Sequence, residues 1–399
     1  MNIAKKAYSR IFQTAMRIAI PFLPYRRPVI LDSVDDVSTV LKKNGVRRVL
    51  IVTDRNIRKN GLTAPLEKSL DESNIAFTVY DGTMPNPTSG NIAEALDGYR
   101  TSGAEALIGF GGGSSIDAAK AVGACIARPG KKLERMSGIL RIRRRIPLLF
   151  AIPTTAGTGS ETTLASIVTD SETRHKYPIN DFPLIPRYAV LDPELTVSLP
   201  PSLTASTGLD ALTHAIEAYI GRSTTKETRQ EARTAVRLIF SNLCAAYRDG
   251  SDIEARRNML EAAFRAGRAF TISYVGYIHA VAHSLGGKYD IQHGKANAVL
   301  LPKVLEFYGD SCTRKLAELA SEVGIEGSEK ERAEAFISRI REMNRMMGIP
   351  ECFPELREED INELARYADK EANPLYPVPI LMDAKELGKL YRLVLGNEG

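Results

Sequence analysis

Two hydrophobic periods divide the chain. In the first half, "VRRVLIVTD" (46–54), "IAFTVYDG" (75–82), "AEALIGFGGGS" (104–114) and "IPLLFAIPTT" (146–155) are short, β-branched and apolar at nearly every position. Such runs suit strands buried on both faces. Between them "TSGNIAEALDGYRTSG" and "SSIDAAKAVGACIA" carry helical periodicity. The βαβα order predicts a Rossmann-like parallel sheet covered by helices. After "VLDPELTVSLPPSLTAS" the pattern changes to long helices such as "KETRQEARTAVRLIFSNLCAAYRDG" and "CTRKLAELASEVG", and Pro200 and Pro201 mark the boundary. The expectation is an α/β domain over residues 28–199 and an all-α domain over 200–399, with ligands in the cleft between them.

Residues 1–27 form a separate amphipathic extension. Read as a helix over 3–20, they set Ile3, Ala7, Tyr8, Ile11, Phe12, Ala15, Ile18 and Ala19 on a broad apolar side and Lys6, Arg10, Gln13 and Arg17 on a polar stripe opposite. Pro21 and Pro24 end the pattern. The expectation is a helix that packs on this protein's own domains or across a subunit interface. Docking to a partner or larger assembly is the second reading and membrane-surface binding the third.

Composition narrows the classes. The 399 residues are 44% hydrophobic and 25% charged, with a net charge of +5, as is ordinary for a soluble globular protein. The basic run Arg141, Arg143, Arg144 and Arg145 reads as a solvated loop before a strand and not as a nucleic-acid site. Cys125, Cys244, Cys312 and Cys352 are far apart, which excludes a thiolate zinc site and fits a reducing cytoplasm. No apolar run reaches the roughly 18 residues of a membrane span.

The candidate chemistry lies at the ends of the predicted strands and in the histidines. "GFGGGSSIDAAKA" follows a strand and opens a helix, where glycines and free N–H groups favour an anion such as a pyrophosphate; Ser114 can cap that helix, with Asp117 three residues on. "PTTAGTGSETT" (153–163) follows another strand. Asp54 ends a third, where a carboxylate can accept hydrogen bonds from adenosine ribose hydroxyls. Together they point to a dinucleotide.

Four of the five histidines fall in two segments: His214 in "GLDALTHAIEAY", and His279, His283 and His293 in "HAVAHSLGGKYDIQHGKANA"; only His175 stands apart. Asp210 and His214 share one helix face, as do His279 and His283, and the "GGKYD" loop lets the chain fold back to His293. Imidazoles with one carboxylate suit Fe²⁺ or Zn²⁺ and are too nitrogen-rich for Ca²⁺ or Mg²⁺. Three histidines and an aspartate would fill tetrahedral zinc but leave room for substrate oxygen on iron, which favours Fe²⁺ with Zn²⁺ as the alternative.

In "GGGSSIDAAKA", "PTTAGTGSE", "GLDALTHAIEAY" and "HAVAHSLGGKYDIQHGKANA" the chain resembles the iron-containing (group III) alcohol dehydrogenases, from about residue 28 onward. The resemblance implies a dehydroquinate synthase-like, two-domain architecture with a dinucleotide-binding α/β domain and a helical metal-binding domain. It implies Asp210, His214, His279 and His293 as ligands, with His283 beside the substrate as the acid-base group. It further implies that Gly112, Gly113, Ser114 and Asp117 contact the pyrophosphate and its surroundings, and that Asn86, Thr154, Thr155, Thr158 and Lys176 line the rest of the cofactor site. The expected reaction is hydride transfer between NAD(H), preferred over NADP(H), and a small alcohol or aldehyde, in a homo-oligomer of two or more copies. The alternatives on this fold are a zinc-dependent lyase or a polyol(-phosphate) dehydrogenase, and, from another class, a non-catalytic assembly subunit.

Overall fold

The computed structural model describes residues 1–173 and 175–396, which form two compact units: Pro24–Leu199, and Met1–Leu23 with Pro200–Gly399. The chain opens with α1 (Ile3–Ala19), which belongs to the second of these.

The Pro24–Leu199 unit contains strands β1 (Val29–Leu31), β2 (Arg48–Val52), β3 (Ala76–Tyr80), β4 (Ala106–Gly111), β5 (Gly138–Ile139), β6 (Leu148–Pro153), β7 (Ala165–Thr169), β8 (Lys176–Asn180) and β9 (Tyr188–Val190). Its helices are α2 (Asp35–Lys43), α3 (Arg55–Lys59), α4 (Ala64–Glu72), α5 (Ser89–Ser102) and α6 (Gly113–Ala127). Six strands form a fully parallel sheet in the order β1-β9-β6-β4-β2-β3. The four apolar runs are β2, β3, β4 and β6, and the two helical patterns are α5 and α6.

Strands β2, β4 and β6, inside this sheet, are buried on both faces. Leu50, Val52, Leu107 and Leu149 pack against Ile92 and Ala95 of α5 and Ala118 and Val122 of α6. Their neighbours Val49, Ile51, Ile108 and Phe150 pack on the other face against Val37 and Leu41 of α2 and Leu66 and Leu70 of α4. Burying each such side chain contributes about 1.5–3 kcal/mol, which is why the runs carry no polar alternation.

A small second sheet, β5-β8-β7, was not evident in the pattern. Pro178 inside β8 breaks the strand signal; β5 pairs only with Ile179 and Asn180, so no β5 partner is required of Pro178. Ser114 is not the cap of α6. The extended residue before the helix is Gly112, which puts the start two residues earlier, and Ser114 Oγ instead accepts a hydrogen bond from Asn86 N at 3.3 Å.

The other unit is helical: α7 (Pro201–Ile220), α8 (Lys226–Arg248), α9 (Ile253–Ser273), α10 (Tyr277–Tyr289), α11 (His293–Tyr308), α12 (Thr313–Glu322), α13 (Glu329–Met346), α14 (Ile361–Ala372) and α15 (Ala384–Arg392). Helix α7 is buried almost all round, with Leu209, Leu212, Ala215, Ile216 and Tyr219 in the core, so it positions its polar residues in a dry interior.

Helix α1 lies on this unit by its polar side. Gln13 Nε2 donates to the carbonyls of Pro374 (3.1 Å) and Tyr376 (2.7 Å), and Arg10 donates to those of Val378 (2.8 Å) and Pro379 (2.9 Å). Lys5 pairs with Asp369 at 2.9 Å, and the terminal ammonium sits on Asp383 and Glu386. Ser9 and Gln13 are buried, while Ile3, Tyr8, Ile11, Ile18 and Phe22 face outward and are 60–87% exposed.

Candidate active site

Three helices supply the histidine cluster. Asp210 and His214 lie one turn apart on α7, His279 and His283 one turn apart on α10, and His293 opens α11. The fold-back to His293 is not made by a "GGKYD" loop, because Gly286–Tyr289 continue α10 and the reversal occurs at Asp290 (φ 55°). At Gly294 the new helix crosses α7 so closely that a Cβ would collide with the Ser206 carbonyl, and it would lie 3.4 Å from Asp210 Cβ. That close approach sets His293 beside Asp210.

One ligand-type atom each of Asp210, His214, His279 and His293 lies within 4.8 Å of the other three. Asp210 Oδ1 is 3.7 Å from His279 Nε2 and 3.4 Å from His293 Nε2, and it accepts a hydrogen bond from Asn297 Nδ2 at 2.7 Å. His279 Nε2 is buried and makes no hydrogen bond. Its Nδ1 is 2.6 Å from Glu217 Oε2. Glu217 also accepts from the backbone N–H groups of Gly276 and Ile278, both at 2.8 Å, so this buried carboxylate fixes the start of α10 and the ring orientation of His279 together. The His214 ring is held between Phe270 (centroids 4.1 Å apart) and His279 (4.4 Å).

The electrostatics favour positive charge at this centre. Burial works to raise the Asp210 carboxyl, but the three histidines outweigh it and hold it well below the usual carboxylate range. Burial likewise works against charging His279, yet Asp210 and Glu217 lift it to about 9. A divalent metal fits this centre: a dry, ionised carboxylate, an unbonded imidazole nitrogen, and a carboxylate behind the histidine to fix its tautomer. His293 is half-buried and marks the open side.

His283 falls outside the group of four. Its ring stacks on His293 with centroids 5.0 Å apart, its Nδ1 is 2.7 Å from Glu371 Oε1, and its side chain is 40% exposed. Glu371 also accepts from Tyr376 Oη at 2.8 Å.

The nucleotide candidates gather at the carboxyl ends of three adjacent parallel strands, β2, β4 and β6, where open α/β sheets bind ligands. Asp54 follows β2 and caps α3, its Oδ1 accepting from Asn56 N (2.9 Å) and Ile57 N (3.0 Å). Gly112, Gly113 and Ser114 follow β4. A Cβ at Gly113 would lie 3.0 Å from Thr158 Oγ1, and one at Gly112 3.8 Å from Thr155, so the two loops touch. Thr154 is buried, its N–H donating to the Gly111 carbonyl at 3.1 Å. Asn86 sits in the left-handed region (φ 55°) and its Oδ1 accepts from Lys176 Nζ at 2.7 Å.

Asp117 turns inward: its Oδ2 accepts from Ile167 N at 3.0 Å, and its Oδ1 is 4.0 Å from Lys120 Nζ. Lys120, fully buried, donates to the carbonyls of Thr163 (2.9 Å) and Ala165 (2.8 Å) and pins the loop after β6 from below.

The profiles described as "Iron-containing alcohol dehydrogenase" and "Fe-containing alcohol dehydrogenase family, C-terminal" match residues 30–193 and 204–395. The chain belongs to the iron-containing alcohol dehydrogenase family. Among its relatives in that family, the NAD-dependent methanol dehydrogenase of Bacillus methanolicus is 37% identical over 352 residues, 87% of this chain and 92% of that one. The 1,3-propanediol dehydrogenase of Klebsiella pneumoniae is 37% identical over 355 residues, 87% of this chain and 91% of that one. A solved structure of a 1,3-propanediol oxidoreductase superposes with a TM-score of 0.89 at 34% identity, covering 93% of this chain and 98% of the other. The two-domain iron alcohol dehydrogenase fold and the enzyme class expected from the motifs are thus established. α1 lies before residue 30, where the family match begins.

Sequence reasoning missed Glu217, Asn297, Glu371 and Lys120. Glu217 is seven residues after Asp210 on the same face of α7, and Asn297 is four after His293 on α11, so helical spacing could have found both. Glu371 is 88 residues from His283, and no local pattern links them.

Proposed function

We propose that the chain is an NAD(H)-dependent oxidoreductase that interconverts a small alcohol and its aldehyde or ketone at a divalent metal held by Asp210, His214, His279 and His293. The observation that carries this reading is the convergence of those four side chains around the unbonded, buried Nε2 of His279. When bound, Fe²⁺, or Zn²⁺ in its place, supplies Lewis acidity toward a substrate oxygen, and the nicotinamide supplies or accepts the hydride. The family supports iron. Methanol and 1,3-propanediol, after which two of the relatives are named, support a short alcohol.

The chain's own residues do the rest. Glu217 orients His279, and Asn297 orients Asp210, so neither ligand must reorganise. His283 is the acid-base group: with Nδ1 held by Glu371, its Nε2 is left to take the hydroxyl proton during oxidation and to return it during reduction. Its exposure gives that proton a route to solvent. Residues 28–199 hold the dinucleotide, with Gly112, Gly113 and Ser114 around the pyrophosphate, Asp117 supporting that turn from beneath through Ile167 N, and Asn86, Thr154, Thr155, Thr158 and Lys176 lining the remainder. Asp54 faces the adenosine ribose and selects NAD over NADP, because its carboxylate repels a 2′-phosphate. Residues 200–399 form the metal-binding domain and 1–27 an extension outside the chemistry. Four free cysteines support a cytoplasmic enzyme in a reducing compartment, and the proposal includes a homo-oligomer of two or more copies. The complete ligand set speaks against a non-catalytic subunit.

The test is a screen of NADH oxidation by Fe²⁺-loaded protein against two- to six-carbon aldehydes and ketones, with metal-stripped protein as control. Turnover that needs the metal is the expected result. Equal rates in the stripped protein would overturn the reading.

A further inference from the structure

The outward face of α1 has a period of its own. Ala4, Tyr8, Ile11, Ala15, Ile18 and Phe22 are spaced four, three, four, three and four residues apart, the seam spacing of a two-helix coiled coil; Phe22 closes it in the short 3₁₀ turn Ile20–Phe22. Residues opposite this seam, Gln13 and Ile20, are buried against the protein. From these observations we infer that the α1 seam is a self-association surface, on which α1 of a second copy of this chain packs antiparallel about a two-fold axis.

The seam is complementary to itself in one register. With the helices antiparallel and fully overlapped, Phe22 faces Ala4 of the second copy, Ile11 faces Ala15, and Tyr8 faces Ile18. Each contact occurs twice, as an isologous interface requires. Two of the three layers set a large side chain on alanine, which lets the helices interdigitate. A seam from Ala4 to Phe22 is about 28 Å long, and pairing two such faces buries on the order of 1,000 Å² in all, at the lower edge of a specific interface. The association is therefore concentration-dependent unless other contacts add to it.

Charge favours a second copy over an anionic lipid surface. Residues 1–31 contain no acid, so a basic helix on a membrane is the obvious competitor. Yet Lys5 is spent on Asp369, Arg10 on two backbone carbonyls, and the terminal ammonium on Asp383 and Glu386. Lys6 and Arg17 are exposed, but at helical spacing they lie on the side of the helix away from the seam. The seam and its flanks, Ala7 and Thr14, are uncharged, as a surface that meets its own copy needs to be.

This inference rests on the homo-oligomeric part of the function proposed above and adds the surface; turnover tests the chemistry separately. The holoenzyme and its Ile11→Asp/Ile18→Asp variant are compared by sedimentation equilibrium over a concentration series. The variant is expected to lose one association step, weakened at least about tenfold, with kcat within roughly threefold of wild type. Both positions are exposed, so folding is not at risk, and circular dichroism verifies it. A second measurement fixes the register: Tyr8→Cys and Ile18→Cys proteins, mixed and oxidised, should form a crosslink in excess of either alone. An unchanged mass for the aspartate variant with no excess crosslink overturns the inference. So does a monomeric wild type that co-sediments with phosphatidylglycerol vesicles in a manner the same substitutions abolish.

Discussion

Glu217→Gln separates a positioning carboxylate from a passive one. The carboxylate accepts three hydrogen bonds, from Gly276 N, Ile278 N and His279 Nδ1, and glutamine keeps the shape but turns one acceptor into a donor. Two orientations are available to the amide. With the NH₂ in place of Oε2, both Gly276 N–H and His279 Nδ1–H lose their partner. With it in place of Oε1, only Ile278 N–H does, so this orientation is the cheaper. Leaving one buried donor unsatisfied costs about 1–3 kcal/mol, and the remaining bond to His279 loses its charge assistance. The apoprotein should then melt roughly 2–12 °C lower in the helical unit, on the scaling for units of this size. Metal should bind on the order of ten times more weakly, toward the low end of the cost of losing an outer-shell partner. Glu217→Ala strands all three donors and should exceed both effects. Melting of apo and loaded protein by calorimetry, with metal affinity by chelator competition, reads both quantities without any assay of turnover. A Glu217→Gln protein that melts within a degree of wild type and binds metal within twofold would refute the assignment of Glu217 to His279.

Chelation should abolish turnover and Fe²⁺ or Zn²⁺ should restore it, while His279→Ala or His293→Ala should lose both metal and activity; stoichiometric metal with near-normal turnover in either variant would remove that residue from the ligand set. Asp54→Gly should narrow the preference for NADH over NADPH with little loss of fold, because glycine at a helix N-cap costs only a few tenths of a kcal/mol; wild-type kcat/KM values that favour NADPH would contradict this. Burial favours the neutral thiol and pushes Cys125 up to about 11 and Cys312 to about 12, so at pH 8 their thiolate fractions are on the order of 10⁻³ and 10⁻⁴. A thiol reagent at pH 8 should therefore label at most Cys244 and Cys352 quickly, with the other two following on unfolding. Four fast thiols in native protein would show that the burial is wrong.

The parallel sheet was legible because burial on both faces forces uninterrupted apolar runs, and Val49–Val52 or Leu107–Phe110 have no polar position to obscure them. The metal candidates were legible because α7 and α10 each carry two ligand-type side chains at helical spacing. Spacing within one helix says nothing about distances between helices, however, so it could not separate His283 from His293; the α10–α11 turn decides that. The residues behind the cluster were legible in proportion to how local their contacts are. Glu217 and Asn297 share helices with Asp210 and His293, whereas Glu371 reaches His283 only through the packing of α14 on α10. The short strand β8 was hidden by its own proline.

Helix α1 shows what a hydrophobic pattern cannot carry. The pattern gives a helix over 3–20, one residue longer than the Ile3–Ala19 observed, with an apolar and a polar side, but amphipathicity states only that the two sides differ, not which of them meets the rest of the chain. The usual inference is that the apolar side does, because water is the default on the other. Here the 374–379 segment offers carbonyls of Pro374, Tyr376, Val378 and Pro379 that need donors, and Gln13 and Arg10 provide them. A Gln side chain that satisfies two such carbonyls is better placed inward than an isoleucine that would leave them unpaired, since each buried orphan costs about 1–3 kcal/mol. The apolar residues are then turned outward as a consequence, and Ala4, Tyr8, Ile11, Ala15, Ile18 and Phe22 form a continuous exposed strip. Scattered apolar residues on a surface need no explanation, but a strip of this length at coiled-coil spacing does.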